Sequence, residues 1–290
     1  MALTQDYLDN LSYFFDTPDG AIEALFGDFS RIIRVNPASN IKLDGLDKFS
    51  DNIYWLKDDI TMDEKDIFVQ NPSSLLPVLA LDPQDSDKVL DMCSAPGGKL
   101  TYIAELAPNA DITAYEVSPD RYNRLKRFLA KRELNNINLK LGDSSKVFNR
   151  YADNFDKILL DAPCSSDIHQ FGQGKDDFFS AKNSKKLAIK QYSLLSSAYM
   201  MLKPGGTLVY STCTMSIFEN ELVIDKLLTR HDDAIVEEIP QEIFDLPDLK
   251  RLQPIKPLPL KHENISKKVL RVNFMNGIYE PFFVAKIKKK

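Results

Sequence analysis

The chain is predicted to form an α/β fold on a mostly parallel, seven-stranded sheet, with a small α+β domain at its N-terminus. Two observations carry this. From about Asp82 onward, short apolar runs rich in β-branched residues alternate with helix-like stretches, the pattern of strands joined by crossover helices. Those runs end in carboxylates, glycines and cysteines, the residue types that open α/β sheets gather at the carboxyl ends of their strands.

Before Asp82 no such alternation appears. Tyr7 to Phe26 reads as one amphipathic helix, and Arg31 to Asn36 and Asn52 to Lys57 read as strands. Residues 1–70 are therefore expected to form the small domain and 71–290 the large one. In the large one, strands are predicted at Lys88 to Met92, Asp111 to Glu116, Asn138 to Leu141, Lys157 to Leu160, Thr207 to Ser211, Ile235 to Ile239 and Phe282 to Ile287. Helices are predicted at Leu100 to Ala107, Pro119 to Leu134 and Ser184 to Leu202. Lys203-Pro204-Gly205-Gly206 should stop the last of these and turn tightly into a strand.

Composition narrows the class. The 290 residues are 43% hydrophobic and 27% charged, as in a soluble globular enzyme. There is no run of eighteen apolar residues, so no membrane span is expected. The N-terminus does not resemble a signal peptide and the cysteines number three, an odd count, which points to a reducing, cytoplasmic setting. A formal net charge of −5 argues against unspecific coating of nucleic acid. Local basic clusters qualify this, notably Arg121, Arg124, Lys126, Arg127, Lys131 and Arg132 on one helix, with Lys182, Lys185, Lys186 and Lys190 on the next. Such runs are either solvated helix faces or phosphate contacts.

Three strand ends carry chemistry. The first leads into Asp91-Met92-Cys93-Ser94-Ala95-Pro96-Gly97-Gly98-Lys99 and then a helix, an arrangement suited to a nucleotide-type ligand because it offers close backbone approach and unpaired helix N–H groups. It is neither a P-loop nor G-x-G-x-x-G. Glu116, Asp143 and Asp161 end successive strands, and a carboxylate there grips ribose hydroxyls. Cys164, in Asp161-Ala162-Pro163-Cys164-Ser165, and Cys213, in Ser211-Thr212-Cys213-Thr214, both follow predicted strands. A lone cysteine usually packs as a small hydrophobe, but two at one sheet edge are placed for reaction.

These residues resemble the RsmB/NOP (Sun-type) RNA cytosine-C5 methyltransferases. The resemblance rests on Val69 to Pro77, Asp91 to Lys99, Asp161 to Ser165, Lys203 to Gly206, Ser211 to Thr214 with Glu219-Asn220-Glu221, and Phe282 to Lys286, while Arg34-Val35-Asn36 resembles a motif of the family's N-terminal domain. Cys164-Ser165-Ser166-Asp167-Ile168-His169 looks more like the mitochondrial-type members. The resemblance implies a class I, Rossmann-like fold and S-adenosyl-L-methionine as cofactor. The loop of Cys93, Ser94, Ala95, Pro96, Gly97, Gly98 and Lys99 would cradle it. Glu116 would hold its ribose and Asp143 its adenine, with Arg121, Ser144 and Asp161 alongside. Cys213 would be the nucleophile, Cys164 would assist product release, Asp161 would bind the cytosine edge, and Lys99 would support the cofactor or the base. No metal is expected.

The substrate implied is tRNA or rRNA, and the protein is expected to be a monomer. Departures from the family pattern are Ser94 and Leu100, where alanine and threonine are usual, and a shortened N-terminal domain. With no added RNA-binding domain and an acidic composition, there is room for a partner protein or a structured RNA context to supply affinity. Two other readings stand beside this one: an RNA-binding ribosome-assembly factor of the same fold with weak catalysis, and a methyltransferase acting on protein or a small molecule. The first has no need of both cysteines and Asp161, and the second needs no covalent adduct.

Overall fold

A computed structural model describes residues 4–39, 41, 43, 45–57, 63, 65–166 and 181–290. The Asp167-Ile168-His169 comparison lies outside the described residues.

Two short helices open the chain, α1 (Gln5–Leu11) and α2 (Asp19–Leu25), where one helix is predicted. Pro18 separates them, because its ring disfavours helical backbone at Thr17 and it has no N–H to donate. Both pack on the large domain. Tyr7, Leu11, Phe14 and Leu25 share a core with Met215, Ile217 and Phe274, and Asn10 clamps the segment after Cys213, donating to the Met215 carbonyl at 2.8 Å and accepting from the Ile217 N–H at 2.9 Å.

Strands β1 (Arg31–Val35), β2 (Lys48–Ser50), β3 (Ile53–Leu56) and β4 (Ile67–Gln70) form an antiparallel sheet in the order β2-β3-β1-β4. Asn52 begins no strand, because it turns the chain at φ 56°. The sequence reading omits β2 and β4.

Then follow α3 (Leu76–Leu81), β5 (Lys88–Asp91), α4 (Gly98–Leu106), β6 (Asp111–Glu116), α5 (Pro119–Lys131), β7 (Ile137–Leu141), β8 (Phe155–Asp161), α6 (Ala181–Met201), β9 (Leu202–Thr212), α7 (Glu221–Arg230), β10 (Ala234–Glu237), β11 (Leu270–Arg271) and β12 (Phe283–Lys289). The large sheet has the order β10-β12-β9-β8-β5-β6-β7, with two-residue β11 beside β12. Strands β5 to β9 pair in parallel, while β12 and β10 run antiparallel at one side.

Alternate residues enter opposite cores, as the twofold strand period demands. Val89, Leu159 and Val209 pack with α3 and α4, whereas Leu90, Ile158, Leu160, Leu208 and Tyr210 pack with α6 and α7. This double burial is why the strands read as continuous apolar runs. Helix α5 stops at Lys131 rather than Leu134 because Glu133 turns to φ 54°. Lys203 to Gly206 is also corrected: the segment bulges within β9, since pairing steps from Phe155↔Leu202 to Lys157↔Thr207. Among the described residues no helix is long and apolar enough to cross a membrane.

Candidate active site

The carboxyl ends of β5, β6, β7, β8 and β9 converge on one edge, and nearly every residue singled out from the sequence lies there. At β5 the chain turns on Asp91, whose Oδ1 accepts the Cys93 N–H at 3.2 Å and whose carbonyl accepts the Ser94 hydroxyl at 3.2 Å. The Ser94 N–H reaches the Tyr115 carbonyl at 2.9 Å, tying the loop to β6. Gly97 adopts φ 115°, and a Cβ built on it would stand 2.6 Å from the Leu125 Cδ1. A Cβ on Gly98 would stand 2.7 Å from the Phe68 ring. These glycines are thus required by α5 and β4 packing behind the loop, a cause the sequence reading did not include.

The carboxylates take their places around this loop. Glu116 is 2% exposed and accepts the Ser118 N–H at 2.8 Å. Arg121 lies 3.6 Å from its other oxygen and also donates to the Ala95 carbonyl, joining the β6 end to Ala95-Pro96. Asp143 accepts from the Ser145 N–H at 3.0 Å and hydroxyl at 2.7 Å; burial alone would raise its pKa, but these bonds hold it below the ordinary value. The buried Ser144 donates to the Met92 carbonyl at 2.9 Å.

Asp91 tests whether the cradle fits S-adenosylmethionine. Its carboxylate is 1% exposed and its Oδ2 has no hydrogen-bond partner. A buried acceptor beneath a glycine turn, beside strand-end carboxylates, suits a ligand that carries both cationic and diol groups. Burial, with Asp161 nearby, raises the Asp91 pKa to about 7. The Cys93 pKa is pushed up by burial and then by the charges of Asp91, Asp161 and Glu116, which favours the protonated thiol.

The residues expected to be catalytic meet at the ends of β8 and β9. The Lys99 ammonium donates to Asp161 Oδ2 at 2.8 Å, and the Ser211 hydroxyl to Oδ1 at 2.7 Å. Burial would lower the Lys99 pKa, but Asp161 and then Cys213 outweigh it and keep the ammonium charged. The sulfurs of Cys164 and Cys213 are 3.1 Å apart. The Cys213 N–H also points at the Cys164 sulfur, at 3.4 Å. The hydrogen bond with Cys213, and then burial, raise the Cys164 pKa well above the usual thiol range.

Several supporting residues escaped sequence reasoning. The Ser166 hydroxyl is 3.3 Å from the Cys213 sulfur and 3.5 Å from that of Cys164, brought there by backbone at φ 53°. Glu219, fully buried, accepts from the Ser165 N–H at 3.0 Å, the Gln191 amide at 2.9 Å and the Ser184 hydroxyl at 2.8 Å. It fixes the Cys164 loop to α6, and burial raises its own pKa. Asn220 donates to the Thr214 carbonyl at 2.8 Å, and Glu221 forms a buried pair with Arg271 at 2.6 Å. In the sequence Glu219-Asn220-Glu221 entered only as part of the family resemblance, with no structural role read for any of the three.

The chain is similar to several known proteins. A Pyrococcus abyssi protein named tRNA (cytosine(49)-C(5))-methyltransferase is 36% identical over 77% of this chain and 70% of its own length. A Bacillus subtilis protein named probable ribosomal RNA small subunit methyltransferase B is 32% identical over 77% of this chain, which spans only 52% of that relative. The crystal structure of a methyltransferase homologue from Pyrococcus horikoshii superposes with a TM-score of 0.79 at 29% identity, covering 99% of this chain and 100% of that one. The family model described as 16S rRNA methyltransferase RsmB/F matches residues 78–288. The chain belongs to the RsmB/F methyltransferase family.

Proposed function

We propose that this chain transfers a methyl group from S-adenosylmethionine to carbon 5 of a cytosine in tRNA or rRNA, through a covalent adduct on Cys213. The observation that carries this reading is the pair of thiols 3.1 Å apart at the sheet edge, beside the Lys99–Asp161 pair. Methyl transfer to nitrogen or oxygen has no use for two thiols.

Carbon 5 of cytosine is a weak nucleophile until a thiolate adds to carbon 6. The Cys213 sulfur forms the carbon–sulfur bond, and the electron pair of the ring double bond moves toward carbon 5. The Cys93–Lys99 loop with Glu116, Arg121, Asp143 and Ser144 would hold the cofactor, which would supply an electrophilic methyl and leave as the neutral thioether S-adenosylhomocysteine. Asp161, fixed by Lys99 and Ser211, would hydrogen-bond the N3 edge through a proton shared with the Lys99 ammonium, so that the charge arriving on N3 is met by that proton. An ordinary thiol, with pKa about 8.5, is only a few per cent ionised at neutral pH; lowering it to about 6 takes about 3.4 kcal/mol.

Release requires loss of the carbon-5 proton and expulsion of Cys213. Cys164 holds its own proton chiefly through the hydrogen bond with Cys213. Once Cys213 is bonded to carbon that bond weakens; Cys164 gives its proton to solvent, and the resulting thiolate takes the carbon-5 proton while the Cys213 carbon–sulfur bond breaks and its electron pair returns to sulfur. The base is reached only if extruded from its stack, at about a few kcal/mol.

The test is incubation with labelled S-adenosylmethionine and unmodified tRNA and rRNA transcripts, with nucleoside digestion and mapping. The reading predicts 5-methylcytosine in one of these RNAs. Cofactor binding without methyl in RNA would contradict it and favour the assembly-factor reading, while label in protein or a small molecule would favour the other.

A further inference from the structure

The geometry points to the groove between β4 and α5 as the seat of the RNA segment that flanks the target base. This rests on the RNA reading above. The groove has a volume of about 730 Å³ and is lined on the α5 side by Arg121, Arg124, Arg127 and Lys131. Their spacing puts all four on one stripe of the helix, along about 15 Å of its axis, the length of a few nucleotides. No carboxylate is among the lining residues, although the chain carries a net charge of −5. A local cationic stripe on an acidic body selects a polyanion.

The floor and the closed end narrow the choice. Phe68 and Phe128 meet beneath the groove with ring centroids 5.5 Å apart, and Val69 is 39% exposed on the β4 wall. Aromatic and apolar surface between guanidinium groups suits unstacked bases between phosphates, as in single-strand binding sites. At one end the groove is walled by Ala95 and Pro96, the outer side of the loop whose Lys99 bonds Asp161. Arg121 joins that wall to Glu116. A strand whose base enters beside Cys213 therefore continues over Ala95-Pro96 into the groove. An acidic protein would match the charge, but not the aromatic floor or the continuity with the reactive edge.

The test uses the full chain with Arg124→Ala/Arg127→Ala, leaving Arg121 in place, and Arg124→Lys/Arg127→Lys as a charge-preserving control. RNA affinity is measured against salt by fluorescence anisotropy, and cofactor affinity by calorimetry. Each lost single-strand phosphate contact removes about 0.7 from the salt slope, so at 0.1 M salt the alanine variant should bind RNA about 25-fold more weakly, with the slope reduced by about 1.4. The lysine variant should keep most of the affinity, and cofactor binding should be unchanged in both. Wild-type RNA affinity and slope in the alanine variant would overturn the inference, as would loss only of an acidic protein's binding. If the wild type methylates RNA, such a result sinks the groove alone; if it methylates and binds none, both readings fall.

Discussion

Glu219 holds the loop that carries Cys164, and its replacement separates a packing role from a hydrogen-bonding one. Glu219→Ala leaves three buried donors without their acceptor: the Ser165 N–H, the Gln191 amide and the Ser184 hydroxyl. At about 1–3 kcal/mol for each stranded donor, set against relief from burying a carboxylate, the loss is about 3 kcal/mol. For a chain of this size that is about 5 °C in melting temperature. Glu219→Gln differs: its carbonyl oxygen can keep the Ser165 and Gln191 bonds, and the Ser184 hydroxyl can rotate to accept from its NH₂, so the loss is about 1 kcal/mol or less. Thermal and denaturant unfolding of both variants is the assay, with methylation rate and cofactor affinity alongside. The alanine variant should lose rate while binding cofactor normally, because Glu219 touches the Cys164 loop and not the proposed cofactor cradle. Equal destabilisation by both variants, or none by either, would refute the hydrogen-bond account.

Two further predictions follow from the proposed cofactor loop. Gly97→Ala forces a side chain into a φ of 115° and against Leu125, so cofactor affinity should fall at least tenfold by calorimetry, the equivalent of about 1.4 kcal/mol; unchanged affinity would show that the loop yields freely. Asp91 gives a pH signature. Its folded pKa is raised from 3.8 to about 7, so the folded state binds its proton more tightly than the unfolded chain. That stability is fully present below pH 4 and lost as pH rises through 7, and the gap corresponds to about 4 kcal/mol at most. Asp91→Asn should therefore gain stability relative to wild type between pH 4.5 and 7.5, and a difference independent of pH would contradict the buried, partnerless oxygen.

The large sheet was legible because each strand is buried on both faces, so Val89-Leu90 or Val209-Tyr210 read as apolar runs whatever they pack against. The strand-end positions of Glu116, Asp143, Asp161, Cys164 and Cys213 followed from those runs. What was not legible depends on distant contacts. Glu219 reaches the Ser165 N–H across 54 positions, and Asn10 clamps Ile217 across 207. No local pattern announces either. Gly97 and Gly98 were attributed to ligand approach, yet Leu125 and Phe68 already exclude larger residues there. The break at Pro18 was visible in the sequence, but helical spacing on both sides masked it.

The division of labour between the two thiols is tested most directly by trapping. Wild type, Cys164→Ala and Cys213→Ala are incubated with labelled S-adenosylmethionine and substrate RNA, then resolved on a denaturing gel. If Cys213 attacks and Cys164 assists release, Cys164→Ala accumulates a protein–RNA adduct, while Cys213→Ala gives neither adduct nor methylation. An adduct formed by Cys213→Ala, or methylation by it at the wild-type rate, would contradict the account.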